Sequence, residues 1–449
     1  MHELLTLHQR ARRARRRLSE LEPWIVRATR PLGSWTFDGA PIALGEAWPE
    51  RKGVHRFEGG AFDCPWSLAE SRLALDVGGE SLLAIHYAGG ARVSLGLDAN
   101  HNTFPLDAPA GRLEIEAVAR QAFGQWVEDP RLHRAELRRI EPDLIAFART
   151  ANLAIDLAAN LREHELAPIV LELVEEAMAQ LDWPTRTEEV IGRPSPHARG
   201  YGGRDEAPRV WSVTELPDSA RASIGPAHAR LTGELKALRT RFPPVGAVAY
   251  VGHAHLDTAW LWPIEETRRK ARRTFSTAAD LVKRYPDFAF AQSFAEYYRQ
   301  LEDDDPSLLS EVRAAVAAGG WSPAGGLWVE PDINMPSGES LVRQALYGQL
   351  YFQRLFGARH TVAWLPDTFG FSPALPQILA GAGLTSLFTI KLGWSETNRF
   401  PHTRFWWEGI DGSRVLVQQF NTPEDTYNGV ADPASLLRAW RTHTDKRIA

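Results

Sequence analysis

The sequence predicts a multi-domain protein: an N-terminal helix, a β-sandwich-like module and a set of helices, followed by an α/β domain with a parallel, barrel-like sheet. Three observations carry this. A chain of 449 residues is too long for one ordinary core. Short alternating strands with Gly and Asp turns fill the stretch from Gly33 to about Pro105, the pattern of sheets with one buried face. From Val245 onward, apolar runs alternate with helical patterns, which is how a parallel sheet with helices outside it is written.

Taken in order, residues 1–22 read as a polar helix ended near Pro23. Arg72-Leu-Ala-Leu-Asp-Val77 and Ser81-Leu-Leu-Ala-Ile-His86 are typical strands of the β module. The stretch 111–181 reads as helices, broken at Ile140-Glu-Pro142, with helical spacing over 144–161 and 169–181. A segment rich in Gly, Pro and Arg (194–208) reads as a linker, and a helix over 228–241 leads to Pro243-Pro244. That break divides the N-terminal region, 1–242, from the α/β region, 243–449. Within the latter, strands are expected at 245–254, 287–294, 320–328, 360–366, 386–392 and 413–420. Helices are expected at 262–284, 306–318, 338–356 and 373–382.

Apolar residues make up 44% and charged residues 24%, as in a soluble globular protein. A net charge of −5 gives no reason to expect nucleic acid. The single cysteine, Cys64, rules out an internal disulfide and fits a reducing compartment. No run is long enough to cross a membrane, and the arginine-rich start (Arg10, Arg12, Arg13, Arg15, Arg16, Arg17) does not resemble a signal peptide. It reads as a solvated helix face, and the cytoplasm is the expected location. The 16 tryptophans suit sugar rings but are also common core residues.

The richest string is Val251-Gly-His-Ala-His-Leu-Asp-Thr-Ala-Trp260. On an extended chain, His253, His255 and Asp257 project to the same face. A second string, Trp364-Leu-Pro-Asp-Thr-Phe-Gly-Phe371, also ends an apolar run. In parallel α/β folds, ligands bind beyond the carboxyl ends of the strands, so both strings face one rim, with Lys391 at the end of another strand. His255, Asp257 and Asp367 give an N, O, O set suited to zinc, or to cobalt or another divalent ion, with His253 orienting a ligand. Either string alone also reads as a strand-end cap; together they favour a metal site. Asp367 is also a candidate nucleophile. A second carboxylic acid about 5 Å away would make a retaining glycosidase, and Asp425 and Glu424 compete equally for that role in a turn-like segment. Glu330 and Asp332 read as turn caps, and Glu265 and Glu266 as solvent-facing partners of Arg268 and Arg269.

These strings, with Gly325-Gly-Leu-Trp-Val-Glu330, Pro336-Ser-Gly-Glu-Ser340, Phe405-Trp-Trp-Glu-Gly-Ile-Asp-Gly412, Asp425-Thr-Tyr-Asn428 and the run from Lys391 to His402, resemble glycoside hydrolase family 38, the zinc-dependent retaining α-mannosidases. The cytosolic-type branch is the nearer. The resemblance implies zinc on His255, Asp257 and Asp367, Asp367 as nucleophile and Asp425 as acid/base. It also implies Trp260 and Phe369 lining the −1 sugar site and Lys391 near the sugar. The implied partners are α-mannosides and oligosaccharides, with no nucleic acid or membrane; a homo-oligomer is compatible with the chain. The family's fourth zinc ligand, a histidine, has no evident counterpart here: His360, His402 and His443 are poorly placed. The family's C-terminal helical bundle and β domains are also lacking. The expectation is an N-terminal portion of a longer enzyme, with little turnover by itself. Two rivals are a metal hydrolase of amidohydrolase or deacetylase type, built on His253 and His255, and an inactive sugar-binding remnant.

Overall fold

The computed structural model describes residues 6–161, 163–182, 216–398, 400–419 and 429–442. The β module contains β1 (Val26–Pro31), β2 (Trp35–Phe37), β3 (Ala40–Ile42), β4 (His55–Asp63), β5 (Ser71–Asp76), β6 (Glu80–Tyr87), β7 (Arg92–Leu97), β8 (Thr103–Pro105), β9 (Ala110–Val118) and β10 (Arg134–Ile140). They form two antiparallel sheets, β1-β10-β5-β8 and β3-β2-β4-β9-β6-β7, closed over one core that includes Phe57, Leu73, Leu83, Ile115 and Leu137. This is a sandwich.

Strands β9 and β10 correct the helical reading of 111–140. In β9, Leu113, Ile115 and Ala117 are buried while Glu114 and Glu116 stay half-exposed. That alternation has the period of a strand, and Leu113 pairs with Ile85 and Ile115 with Leu83 on β6. Within the stretch 111–181, helical structure begins only at Pro142.

The helical layer comprises α1 (Leu7–Ser19), α2 (Pro142–Asn160), α3 (Leu166–Ala179) and α4 (Asp218–Arg241). Thr6 and Gln9 cap α1 reciprocally. Its buried stripe Ala11, Ala14, Leu18 packs with Phe147, Ile155 and Val174. The arginine run is largely a solvated face, with Arg12, Arg13, Arg15 and Arg16 exposed, while Arg10 pairs with Glu175 on α3 at 2.6 Å and Arg15 with Asp156 on α2. Helix α4 starts at Asp218, earlier than expected, and carries Pro226 inside it.

The α/β region contains β11 (Gly252–His253), α5 (Ile264–Arg284), β12 (Phe290–Gln292), α6 (Ala295–Asp304), α7 (Pro306–Ala317), β13 (Trp321–Pro323), α8 (Gly338–Phe356), β14 (Val362–Trp364), α9 (Leu375–Gly381), β15 (Ser386–Thr389), β16 (Arg404–Glu408) and β17 (Arg414–Gln419). A last helix, α10 (Pro433–Thr442), follows. Among the described residues the strands form two sheets, β11-β12-β13 and β14-β15-β17-β16. All neighbours are parallel except β16, which runs antiparallel along β17. One core spans both sheets, from Phe275, Phe290 and Trp321 to Leu365, Leu387 and Val417. The expected strand 245–254 shrinks to two residues. Val245 is 88% and Val251 54% exposed, because no described strand pairs with 245–251. Three described elements of this region escape the sequence reading: α6, the antiparallel β16 and α10. No described helix is long and apolar enough to cross a membrane.

Helix α5 ties the sandwich to the α/β region. Glu80, in β6, accepts from Lys270 at 2.5 Å and from Arg273 at 3.2 Å. Arg273 also bonds Glu266 at 2.7 Å, and Arg269 bonds the same carboxylate at 2.8 Å. Glu266 is therefore fully buried, not solvent-facing, because two cations of its own helix enclose it. Around this network, Thr277 accepts from Gly96 N–H at 2.8 Å, and Arg284 grips Asp107 with both amino groups. Removing one member of a buried ion network leaves uncompensated charge and costs about 3–5 kcal/mol. Glu80→Ala should lower the unfolding free energy by that amount, read as a lower urea midpoint at unchanged m, whereas Asp129→Ala, in an exposed pair with Arg131, should barely move it.

Candidate active site and metal centre

The site is assembled at the carboxyl ends of the short parallel strands. Beyond β11 come His255 and Asp257, beyond β14 comes Asp367, and beyond β15 comes Lys391. The segment after β13 brings in Glu330. Together with Thr258, Ala259, Asp332, Thr368 and Phe369, the first three and Glu330 line one open cleft.

His255 is the hub. Its Nε2 lies 3.6 Å from Asp257 Oδ1 and 3.6 Å from Asp367 Oδ2. Its Nδ1 lies 3.7 Å from Glu330 Oε2. One donor atom from each of His255, Asp257 and Asp367 falls within 4.8 Å of the others, the only such group among the described residues. Two ligands of a tetrahedral zinc, each about 2.0–2.2 Å from the ion, stand about 3.4 Å apart. The donor set and its spacing therefore fit a zinc-sized cation. Electrostatics agree. Burial opposes charge on the His255 ring, but hydrogen bonding to Asp257 and Asp367 and the field of Glu330 outweigh it, pushing its pKa up from 6.5 to about 10. A ring so stabilised as a cation sits where positive charge is wanted.

Each donor is held from behind. Thr267, on the first turns of α5, donates its hydroxyl towards the carbonyls of Asp257 (3.2 Å) and Thr258 (2.6 Å) and accepts from Trp262 Nε1 at 3.0 Å. Tyr297 on α6 bonds the Leu256 carbonyl. Glu330 Oε1 accepts from the backbone N–H groups of Asp367 and Thr368 at 2.6 and 2.7 Å, and from the Thr368 hydroxyl at 3.1 Å. Burial pushes the Glu330 carboxyl up against those bonds and His255. Lys391 is ion-paired with Asp367 Oδ1, and its ammonium stands 3.6 Å from the centre of the Trp394 ring and 5.9 Å from that of Phe369. After Phe369, Gly370 adopts φ +91°, and a Cβ there would meet Asn334 Nδ2 at 2.1 Å, so only glycine lets this loop close against the next.

The predicted residues divide accordingly. His255, Asp257, Asp367 and Lys391 come together, and Phe369, 74% exposed, lines the cleft. His253 stays apart: its Nδ1–H donates to the Ala291 carbonyl at 2.8 Å, its ring packs on Trp364, and burial lowers its pKa to about 4. It fastens β11 to β12 as a neutral ring. Trp260 follows the cleft-lining Ala259; its exposed ring turns edge-on to Phe123 of the sandwich (6.4 Å) and to Trp262 (5.7 Å). Asp425, Glu424 and His443 lie outside the described residues. His360 is buried against Phe352 and does not join the donor group. The sequence places the segment from Gly325 to Asp332 at the same rim, where the structure puts Glu330, but reads Glu330 itself as a turn cap; Thr267, Trp394 and Phe123 are not singled out.

Residues 246–449 match the glycosyl hydrolases family 38 N-terminal domain. Alpha-mannosidase G of Dictyostelium discoideum is 45% identical over 195 residues, covering 43% of this chain and 18% of that protein. Human alpha-mannosidase 2C1 is 46% identical over 195 residues, covering 43% and 19%. The alpha-mannosidase of Saccharomyces cerevisiae is 41% identical over 189 residues, covering 42% and 17%. A crystal structure of an alpha-mannosidase from Enterococcus faecalis V583 aligns at a TM-score of 0.36 and 25% identity, over 42% of this chain and 22% of that one. The matched stretches thus span about a fifth of the length of these curated relatives. The matched region, residues 246–449, holds every residue of the cleft, and over it the chain is similar to the glycosyl hydrolases family 38 N-terminal domain.

Proposed function

We propose that the cleft is the site of a zinc-dependent, retaining α-mannosidase acting on terminal α-linked mannose of oligosaccharides. The observation that carries this reading is the carboxylate of Asp367, shared between two tasks: Oδ2 faces His255 in the donor group while Oδ1 is paired with Lys391.

His255, Asp257 and Asp367 would hold the zinc; another divalent ion would suit the same donors. A cation held by these donors would supply Lewis-acid stabilisation to sugar hydroxyls presented to it, whose cis 2,3 arrangement distinguishes mannose from glucose. The rest falls to the side chains. Asp367 attacks the anomeric carbon as the bond from that carbon to the leaving oxygen breaks, giving a glycosyl ester. Lys391, paired with its carboxylate, orients it for that attack. A carboxylic acid, Asp425 in this reading and Glu424 as its rival, protonates the leaving oxygen. It then takes a proton from the water that cleaves the ester, restoring Asp367 and retaining the anomeric configuration. Phe369, and Trp260 beside it in sequence from Ala259, would present apolar faces to the sugar. Residues 243–449 form the catalytic region in this reading and 1–242 its buttress. The buried, single cysteine accords with a cytoplasmic location.

The amidohydrolase-type rival needs His253 and His255 on one ion. Against it stands the bond from His253 to Ala291, which leaves His253 outside the donor group.

Two outcomes are expected. Zinc should bind near one ion per chain, and Asp367→Asn should lower turnover of an aryl α-mannoside by about 1,000-fold or more and weaken the zinc. Metal binding with no turnover in the unaltered chain would count against catalysis by these residues alone. In chelator-treated protein, His255 has a folded-state pKa of about 10 against 6.5 unfolded. Its raised pKa stabilises fully below about pH 6.5, and that stability drains as pH climbs towards 10. Thermal melts from pH 6 to 10 should fall in the unaltered protein, fall less in His255→Gln, and flatten when zinc replaces the proton.

A further inference from the structure

Glu330 divides its two oxygens between two of the three donors. Oε1 collects the N–H groups of Asp367 and Thr368 and the Thr368 hydroxyl. Oε2 is buried, makes no hydrogen bond and lies 3.7 Å from His255 Nδ1. That separation is longer than a hydrogen bond and short enough for a small rotation of either side chain to close it. Asp257 and Asp367 lie on the Nε2 side of the ring, opposite Glu330.

A histidine that ligates through Nε2 must keep its proton on Nδ1, and an acceptor beside Nδ1 selects that tautomer and fixes the ring plane. We infer that Glu330 is a positioning residue for the metal centre: it accepts from His255 Nδ1–H through Oε2, so that the Nε2 lone pair points between Asp257 and Asp367, while Oε1 pins the backbone that carries Asp367. The inference rests on the metal reading of the previous section. It gives one side chain control over donors from two separate strands, and it assigns chemistry to a buried carboxylate that turn capping leaves half used.

The test is zinc affinity by competition against a chromophoric chelator, together with the ¹⁵N shifts of the His255 ring in the zinc-loaded chain. Glu330→Gln keeps a carbonyl oxygen for the donors at Oε1 and presents an NH₂ to Nδ1, which cannot accept. Zinc affinity should fall about 10–100-fold while the melting point of the zinc-free protein holds. Glu302→Gln, whose carboxylate pairs with Arg354 outside the cleft, should leave zinc affinity unchanged. In the unaltered protein the ring should be Nδ1-protonated and Nε2-bound. Equal zinc affinity in Glu330→Gln, an equal loss in Glu302→Gln, or zinc on Nδ1 would overturn the inference and leave the metal reading standing. Should Glu330→Gln fail to fold, the ring shifts of the unaltered protein decide. No divalent ion bound by the unaltered chain would overturn the metal reading, and this inference with it.

Discussion

One imidazole among three carboxylates is the constraint on which the rest of the site depends. His255 faces Asp257, Asp367 and Glu330, and the one lysine in this cluster, Lys391, is engaged by Asp367. A half-buried cluster with that balance is short of positive charge. A proton on His255 supplies it weakly, and a divalent ion between Nε2 and two carboxylates supplies it better. The same shortage explains the architecture behind the donors. Each carboxylate that would otherwise repel its neighbours is held by backbone N–H groups, a lysine or the segment anchored by Thr267, so the unfavourable arrangement is imposed by the fold.

That imposition is transmitted through α5. The helix begins two residues after Trp262, and its first turns contribute both Thr267, which holds the carbonyls of Asp257 and Thr258, and Glu266, which locks Arg269 and Arg273. One turn further, Lys270 and Arg273 reach Glu80 in the sandwich. Strand β11 is only two residues long and could not fix the 255–257 loop by ladder bonds. The position of Asp257 is instead set by a helix clamped between two cores, which gives the N-terminal sandwich a mechanical part in the site although it supplies no donor.

What the sequence made legible follows the range of the forces involved. Same-face projection of His255 and Asp257 is a local property of extended backbone, and strand ends bounded by Pro and Gly are local too, so the donors could be read directly. Strand β9 was also legible in principle, since Leu113, Ile115 and Ala117 alternate with glutamates, but helical spacing further along drew its reading towards a helix. Tertiary facts were not legible. Glu266 next to Arg268 and Arg269 looks like a surface pairing until Arg273 and the sandwich bury it. Glu330 looks like a turn cap because nothing in its neighbours reveals that Asp367 and His255 arrive from other strands. The run 245–251 looks like a strand because it is apolar, yet a strand exists only where a partner edge meets it.

The tryptophans show the same division, and the structure separates them by what their N–H groups and faces touch. Trp262 and Trp321 are buried with Nε1 bonded to Thr267 and Tyr298; these are core residues, and their number says nothing of sugars. Trp394 and Trp260 are about half exposed, one under the Lys391 ammonium and the other against Phe123. Phe123 is 64% exposed and reaches Trp260 because Gly124, at φ +83°, lets its turn press onto the 261–262 backbone, where a Cβ would stand 2.9 Å from Trp262 and 3.0 Å from the Leu261 carbonyl. Single exposed aromatics are ordinary, and among these rings it is Phe369 that lines the cleft itself. The tryptophan count is therefore explained in part by the core and in part by the seam between the α/β region and the sandwich, where Trp260 meets Phe123.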